Sequence, residues 1–562
     1  MKGRKIVSTL LALLLFASLP VSALAATWDI GNGDITVNAG SGGQTVTQGS
    51  QVDVPDDAPV ITGSSDEHSV TINAEKDQTA NVTLSGVNID TSTEDKAAVS
   101  TNGEGNVSIE LDGENTLKSD EGHAGLEKNN GGKLTIADKD KNGKLTAEGG
   151  KYGAGIGGGD KGNGSDIAIT GGEVKATGGY GGAGIGGGNK GDGKDIAISG
   201  DAKVNAQGGD QSGAGIGGGK EGAGSGIAIS GGEVKATGGD FGAGIGGGEN
   251  GDGSGITISG DAKVNATGGK RSAGIGGGDE GSGRDIEITG GKVTASSKNA
   301  GAGIGGGDEG NGEDITITGG EVKASSENVG AGIGGGYKGD GKRIKITDGT
   351  VDAASDKGAG IGGGDDGNGE NIAISGGKVT AKSSKNGAGI GGGMWGKGKD
   401  ITVSGDAQLK VQGGVGDYFD GPGAGIGDGG SRPKGSTGGS PIPGAEVGPD
   451  TSGLTTNGSI EYYAPGADME KDKPTSTTTG KPTEPGKPTE PTEPTEPGKP
   501  TEPIEPAVPE QPEAERGMDA PLYFITDRDG RAVRCRAERK GGVLTVTVDE
   551  DFAVLTSSLS GM

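Results

Sequence analysis

The chain has 562 residues, a formal charge of −28 and 131 glycines, with 2% aromatic residues and one cysteine, Cys535. A charge this negative argues against nucleic acid or an anionic membrane as partner. A single thiol excludes an intrachain disulfide or a metal site built from several thiolates, and glycine at this density would indicate disorder if it were not periodic.

In chain order, residues 1–25 read as a secretory signal peptide. Lys2, Arg4 and Lys5 make a basic start, Leu10 to Leu19 is mainly apolar, and Ala23-Leu24-Ala25 is a small-residue cleavage pattern. The expectation is an extracellular or cell-surface protein with no membrane insertion after signal removal. Residues 26–150 carry a rhythm of short apolar triplets, with Val82 stepping to Val107 and Val107 to Leu134, and Ala124-Gly125-Leu126 closing the stretch. These read as diverged coils of a solenoid, with an irregular cap between Trp28 and Ile72.

Over residues 151–430 the phrase A-G-I-G takes over, with isoleucines at 156, 185, 216, 245, 275, 304, 333, 361, 390 and 426. A period of about 29 residues marks a solenoid. Within one period, Ala154-Gly155-Ile156, Ile167-Ala168-Ile169 and Val174-Lys175-Ala176 alternate as strands do, and glycine pairs separate them. The predicted fold is all-β: a right-handed parallel β-helix with three strands per coil, handedness following the rule for parallel crossovers. Ala154, Ile156, Ile167, Ile169, Val174 and Ala176 should be buried and Lys175 exposed. Gly155 and Ala168, with their counterparts in later coils, are expected on two further outward faces.

Trp28-Asp29-Ile30, Gly33-Asp34-Ile35-Thr36, Gly113-Glu114-Asn115-Thr116-Leu117 and the A-G-I-G-G-G coils resemble secreted Firmicutes carbohydrate-binding-domain proteins with a G-A-G-I-G-G-G repeat β-helix. The resemblance covers roughly residues 28–430. It implies a right-handed β-helix and carbohydrate binding, and some relatives take acidic polysaccharide with calcium. Calcium ligands of that family do not carry over residue by residue.

Residues 431–515 combine an irregular segment, in which Ser459 to Tyr463 reads as a last covering strand, with K-P-T-E-P and T-E-P text from Lys473 to Pro512. That text predicts an extended polyproline spacer of about 3.1 Å per residue. Residues 516–562 read as a small or truncated β module with strands over 522–526, 532–537 and 543–548.

Three features are candidates for chemistry. The long loop of each coil carries oxygen-bearing columns: Asp160/Asn163/Asp166, Asn189/Asp192/Asp195, Asp279/Ser282/Asp285, Asp308/Asn311/Asp314 and Asp365/Asn368/Asn371. Stacked carboxylates and carbonyls suit calcium, which takes six to eight oxygens, and adjacent loops would then share an ion; the same residues also simply form turns. The second feature is a set of outward lysines on the third strand, Lys175, Lys235, Lys323 and Lys410, spaced for an anionic polymer or serving as a solvated, aggregation-resistant face. The third is a sparse set of rings, with Tyr152, Tyr180 and Phe241 before the A-G-I-G isoleucine and Tyr337 and Trp395 after it, either sugar contacts or caps on turns.

Parallel β-helices include pectate lyases and polygalacturonases, so the fold leaves catalysis open. Here the coils are nearly interchangeable, the two histidines, His68 and His123, fall on different early coils, and the best acid cluster is Asp417, Asp420 and Asp428. The expected function is therefore a non-enzymatic, secreted glycan-binding or adhesin-like protein with calcium-assisted binding of acidic polysaccharide. A passive surface stalk and a polysaccharide lyase or hydrolase are the alternatives.

Overall fold

Alternation of apolar and other residues in three short runs per period leaves each coil with three apolar edges and one solution for burying them, which is to stack coils. A computed structural model describes residues 25–432 and 440–480, with the backbone of strands Leu522–Thr526, Ala532–Lys540 and Val543–Val548. Nearly all of the expected leader and the Pro-rich text from 481 to 515 lie outside the described residues. The chain divides into two units, before and after the step from Pro485 to Gly486.

The first unit is a parallel β-solenoid with three sheets. In a representative coil, Gly164–Ile169 joins the first sheet, Ile156–Gly157 the second and Glu173–Thr177 the third. Each strand pairs with its counterpart in the next coil, Ile167 with Ile196, Ile156 with Ile185 and Val174 with Val204. The sheets hold fifteen, sixteen and fifteen strands.

The core is a set of ladders. Ile156, Ile167, Ile169, Val174, Ala154 and Ala176 are buried, and Lys175 is exposed. Each buried isoleucine contributes roughly 1.5–3 kcal/mol, which one coil cannot sum to the entropy of ordering some 29 residues. Neighbours supply the missing hydrogen bonds and contacts, so stability belongs to the stack.

Glycine is required where coils touch backbone to backbone. Gly157 has φ +135°, and a Cβ there would lie 2.0 Å from the carbonyl oxygen of Gly186 in the next coil; the same conformation recurs at Gly186, Gly217 and Gly276. The Gly155 column, expected outward, is instead buried: a Cβ on Gly155 would lie 2.5 Å from the amide nitrogen of Thr177. The second sheet presses here against the end of the third, so this column offers no outer face. Ala168 is also buried, although its counterparts Ala197, Ala228 and Thr257 are at least partly exposed.

Each end adds strands to the stack within segments that are otherwise irregular, with a 3-10 turn at Ile30–Asn32 and only isolated bridges and turns over residues 440–458. At the N-terminal end Ile35–Gly40, Gly43–Gln48 and Gln51–Pro55 form an antiparallel meander extending the second sheet. Trp28 is buried and donates its Nε1–H to Asp56 Oδ2 at 2.8 Å. At the other end Ser459–Tyr463 covers Gln408–Gln412 as expected, and Ser476–Thr479 returns antiparallel to it. Ser476–Thr479, within the text predicted to be an extended spacer, is therefore a paired strand, because it finds an unpaired strand edge, and the text from 481 onward lies outside the described residues. The early coils are also registered differently: Val82 pairs with Ile109, and Val107 with Ala80. A two-residue slip leaves every side chain on the same face, so alternation alone does not determine it. In the second unit the three expected strands form an antiparallel sheet, the middle one running on to Lys540.

Gly276 has φ +130°, and a Cβ on it would meet the carbonyl oxygen of Gly305 at 2.0 Å. Gly276→Ala should destabilise the surrounding coils by about 3 kcal/mol or more, whereas Thr257→Ala on the outer face of the first sheet should leave them within about 0.5 kcal/mol of the parent. Urea unfolding of both variants checks the difference.

Candidate functional site

The loop leaving the second sheet is hydrogen-bonded along the solenoid, and this gives each oxygen-bearing column its own role. In the middle column the side-chain oxygen of one coil accepts the backbone N–H of the same position in the next. Asp192 donates to Asn163 Oδ1 at 2.9 Å, Ala223 to Asp192 Oδ1 at 2.9 Å, Ser282 to Asp252 Oδ1 at 2.8 Å and Asp340 to Asn311 Oδ1 at 2.9 Å. Asn368 continues the ladder by donating to Asp340 Oδ1 at 2.8 Å. Asp, Asn and Ser recur there because each offers an acceptor to an amide that the strands leave unpaired.

The last column is selected by backbone shape. Asp166, Asp195, Asp285, Asp314, Asn371 and Asp400 all have φ between 50° and 55°, and Gly226 and Gly255 fill the same place at 62° and 59°. Among L-residues Asp and Asn tolerate this left-handed conformation best. Arg343 is the exception, at φ 54°; its Nε donates to Asp314 Oδ1 at 2.7 Å and its Nη2 to Glu313 Oε2 at 3.0 Å. The hydrogen bond and charge of Arg343 hold the Asp314 carboxyl below the usual range.

The first column lies against the turn of the preceding coil. Asn189 N–H donates to Tyr152 O at 2.7 Å, Asp279 N–H to Phe241 O at 3.0 Å, Asp308 N–H to Arg271 O at 2.7 Å and Tyr337 N–H to Ala300 O at 2.8 Å. The fold thus gathers onto one edge the rings on either side of the A-G-I-G phrase. Tyr180 and Trp395 are exposed there, and Phe241 and Tyr337 half-buried. Tyr152 and Tyr180 meet edge to face at 6.2 Å, Lys151 stands 4.6 Å from the Tyr152 ring and Lys338 4.7 Å from the Tyr337 ring.

Carboxylates on this edge differ in setting. Asp160 is exposed and accepts from Asn189 Nδ2 at 2.8 Å. Asp279 and Asp308 are buried on either side of Arg271, whose Nη1 lies 3.1 Å from Asp279 Oδ2 and whose Nε donates to Asp308 Oδ2 at 2.8 Å. Burial pushes the Asp279 carboxyl up to about 6; Arg271 opposes the shift, and Asp308 adds to it. Asp365, also buried, is pushed up to about 7 by desolvation, against the pull of Lys357 and with the repulsion of Asp366 and Asp420. Arginine therefore stands where adjacent loops were expected to share an ion, and among the described residues no three acidic, His or Cys side chains gather closely enough to hold a metal.

The expected lysines lie as predicted on the outer face of the third sheet, and the structure adds their setting. Between Glu173–Thr177 and Gln408–Gln412 that sheet carries nine lysines against four carboxylates. Over the same coils the first sheet carries eight carboxylates against six bases. Among the described residues Lys175, Lys235, Lys323 and Lys410 form no ion pair, whereas Lys292 holds Glu321 at 2.8 Å. Lys175, Asn205, Lys235 and Asn265 are consecutive partners in register.

A polar group that sequence reasoning left aside lies in the early coils. His123 Nδ1 is 2.9 Å from Glu127 Oε2 and its Nε2 3.7 Å from Asp95 Oδ1. Glu127 also accepts from Ala124 N–H at 3.1 Å and Asn129 Nδ2 at 2.8 Å, and Lys128 is buried with its Nζ donating to Asn130 O at 2.7 Å. The carboxylate of Glu127 is thus engaged in holding the turn.

Nine segments match the family model described as Beta helix repeat: residues 141–160, 167–189, 196–220, 227–249, 256–279, 286–308, 315–337, 344–365 and 372–394. Most run from a first-sheet strand through the third sheet and the A-G-I-G strand into the next loop, so the likeness is one of repeat architecture. No curated protein and no solved structure matches the chain.

Asp365 binds its proton more tightly in the folded chain than at its ordinary value of 3.8. The ionised carboxylate therefore opposes folding, and the native state loses stability as pH rises from that value through about 7. Asp365→Asn should raise stability by on the order of 2–4 kcal/mol at pH 8 and by clearly less at pH 5, as measured by urea unfolding at both values.

Proposed function

We propose that the mature chain is an extracellular, non-catalytic β-solenoid that holds a linear acidic polysaccharide along the outer face of its third sheet. The observation that carries this reading is the excess of nine lysines over four carboxylates on that face of a chain whose net charge is −28. Coils rise by about 4.8 Å, so Lys175 and Lys235, two coils apart, stand about 10 Å apart along the axis. Asn205 and Asn265 alternate with them and offer amides to hydroxyl groups.

A polymer lying parallel to the axis meets weak, repeated contacts whose sum gives avidity. The surplus of carboxylates on the first sheet disfavours a polyanion lying along that sheet instead. The same strands carry no arginine and no aromatic ring, which favours a carboxylated sugar chain over a nucleic acid. In this reading the loop oxygens hold coils together, and binding needs no metal. Adhesion follows from display of such a face at the cell surface.

Replacing Lys175, Lys235, Lys323 and Lys410 together by Gln should weaken pectate binding by at least about tenfold at low salt and leave the melting temperature within about 2 °C of the parent. Binding by the parent should itself fall steeply as sodium chloride rises. Unchanged affinity in the quadruple variant would remove this face as the binding surface.

A further inference from the structure

The repeat is broken once within the regular array. Successive A-G-I-G isoleucines stand 29 residues apart from Ile361 to Ile390 and 36 apart from Ile390 to Ile426. The extra residues fall in the turn after Gln408–Gln412 and include Val415, Tyr418 and Phe419. Among the described residues seven large apolar side chains are exposed, and five of them, Trp395, Val415, Tyr418, Phe419 and Ile442, belong to this end of the solenoid. In a chain with 2% aromatic residues, that concentration needs a reason.

The rings are held by a constructed loop. Asp417 Oδ1 accepts the N–H groups of Phe419 and Asp420, each at 2.8 Å, and Asp417 N–H donates to Asp420 O at 2.9 Å. Asn386, fully buried beneath, donates from Nδ2 to the carbonyls of Asp420 and Gly421 at 3.2 and 3.0 Å. Trp395 donates its Nε1–H to Asp420 Oδ1 at 2.8 Å, and the Arg432 guanidinium lies 5.1 Å from the Trp395 ring and 3.8 Å from the same carboxylate oxygen. Tyr418 and Phe419 meet edge to face at 5.1 Å. Even so, Tyr418 remains 86%, Phe419 48% and Trp395 40% exposed. Pinned rings left open to water are suited to a ligand that has an apolar face of its own.

The charges select among such ligands. Arg432 lies over the Trp395 ring, and the Lys357 carbonyl accepts the N–H of Met394 at 3.2 Å, so a second cation belongs to the turn beside the Trp395 loop. Asp417 is engaged with its own loop, and Asp420 is buried and already shared by Trp395 and Arg432. The donors left for a ligand are those of Arg432 and Lys357.

We propose that this loop is a saccharide subsite in which Trp395, Tyr418 and Phe419 take the apolar faces of sugar rings, while Arg432 and Lys357 take the carboxylate of an acidic sugar. Asp420 is the positioning residue that fixes Trp395 and Arg432. The inference rests on the acidic-polysaccharide reading and deepens it: the lysine face binds a polymer by charge along its length, and this loop binds one to a few units by ring stacking. An aromatic patch for another protein is the competing occupant, but five scattered apolar side chains interleaved with Asp and Arg are smaller than a stable interface requires.

The chain has two tryptophans, Trp28 and Trp395, and Trp28 is buried at the far end of the solenoid, so fluorescence isolates the site. The experiment uses the full-length mature protein titrated with tetragalacturonate, and with cellotetraose as an uncharged probe. Tetragalacturonate should change the tryptophan emission of the parent and of Trp28→Phe, and leave that of Trp395→Phe unchanged. Tyr418→Ala with Phe419→Ala should weaken binding by about tenfold without moving the melting temperature, and cellotetraose should bind at least about tenfold more weakly than the acidic tetramer. The four-lysine variant should retain the emission change. Calorimetric binding of the tetramer that is silent in tryptophan emission and indifferent to the Tyr418/Phe419 substitutions would overturn the subsite while leaving the lysine face intact. Absence of both pectate and tetramer binding would overturn the broader reading as well, and equal affinity for the two tetramers would overturn the assignment of Arg432 and Lys357.

Discussion

Everything in the first unit depends on coils meeting over nearly their whole circumference at one strand spacing, about 4.8 Å. The constraint reaches beyond the strands into the loops, where each coil donates amides to the next. At Gly157 it excludes any side chain, since the carbonyl of Gly186 occupies the place of a Cβ. At Asn163 it asks for an acceptor, and at Asp166 for a residue that tolerates φ near 53°. A column in this protein is therefore first a statement about stacking. Only positions that stacking leaves undetermined are free to carry function.

That separation explains what was legible in the sequence. Strand positions and the buried ladders through Ile156, Ile167 and Val174 follow from period-two alternation repeated at the coil spacing, and both are as expected. The pairing of Val82 with Ile109 was not legible, because a slip of two residues preserves the pattern and only loop length resolves it. Asp166, Asp195, Asp285 and Asp314 read in one dimension either as ligands or as turn formers, and the fold places each of them at a left-handed turn position. The signal was present: Gly226 and Gly255 stand in the same column, and glycine shares with Asp a backbone preference, not an oxygen.

Other features need the fold before they can be seen at all. Tyr180 precedes its A-G-I-G isoleucine and Trp395 follows its own, yet the turn of one coil and the long loop of the next are hydrogen-bonded neighbours on one edge, as where Lys220 N–H donates to Gly181 O and Met394 N–H to Lys357 O. Arg271 belongs to a turn and meets two loop carboxylates, Asp279 and Asp308, that lie 29 residues apart. The charge of the third sheet is hidden by the total, because the surplus of carboxylates lies on other surfaces.

The free positions divide into two kinds of surface. Along the third sheet the outer columns repeat lysine and small polar residues with little variation from coil to coil, as suits a ligand that is itself a repeat. At the last coil the array is interrupted by a loop that its own hydrogen bonds hold in place, and Trp395 and Arg432 from neighbouring segments meet it at Asp420. A repetitive face gives length-dependent attachment and a singular loop gives recognition of particular units. The central claim is that the polymer lies on the third sheet, and lysine-reactivity footprinting tests it most directly. Acetylation of the protein with and without bound pectate should show protection of Lys175, Lys203, Lys235, Lys263 and Lys323, while Lys161, Lys190 and Lys338 on the loop edge remain reactive. Protection of the loop lysines with continued labelling of the third sheet would contradict the account.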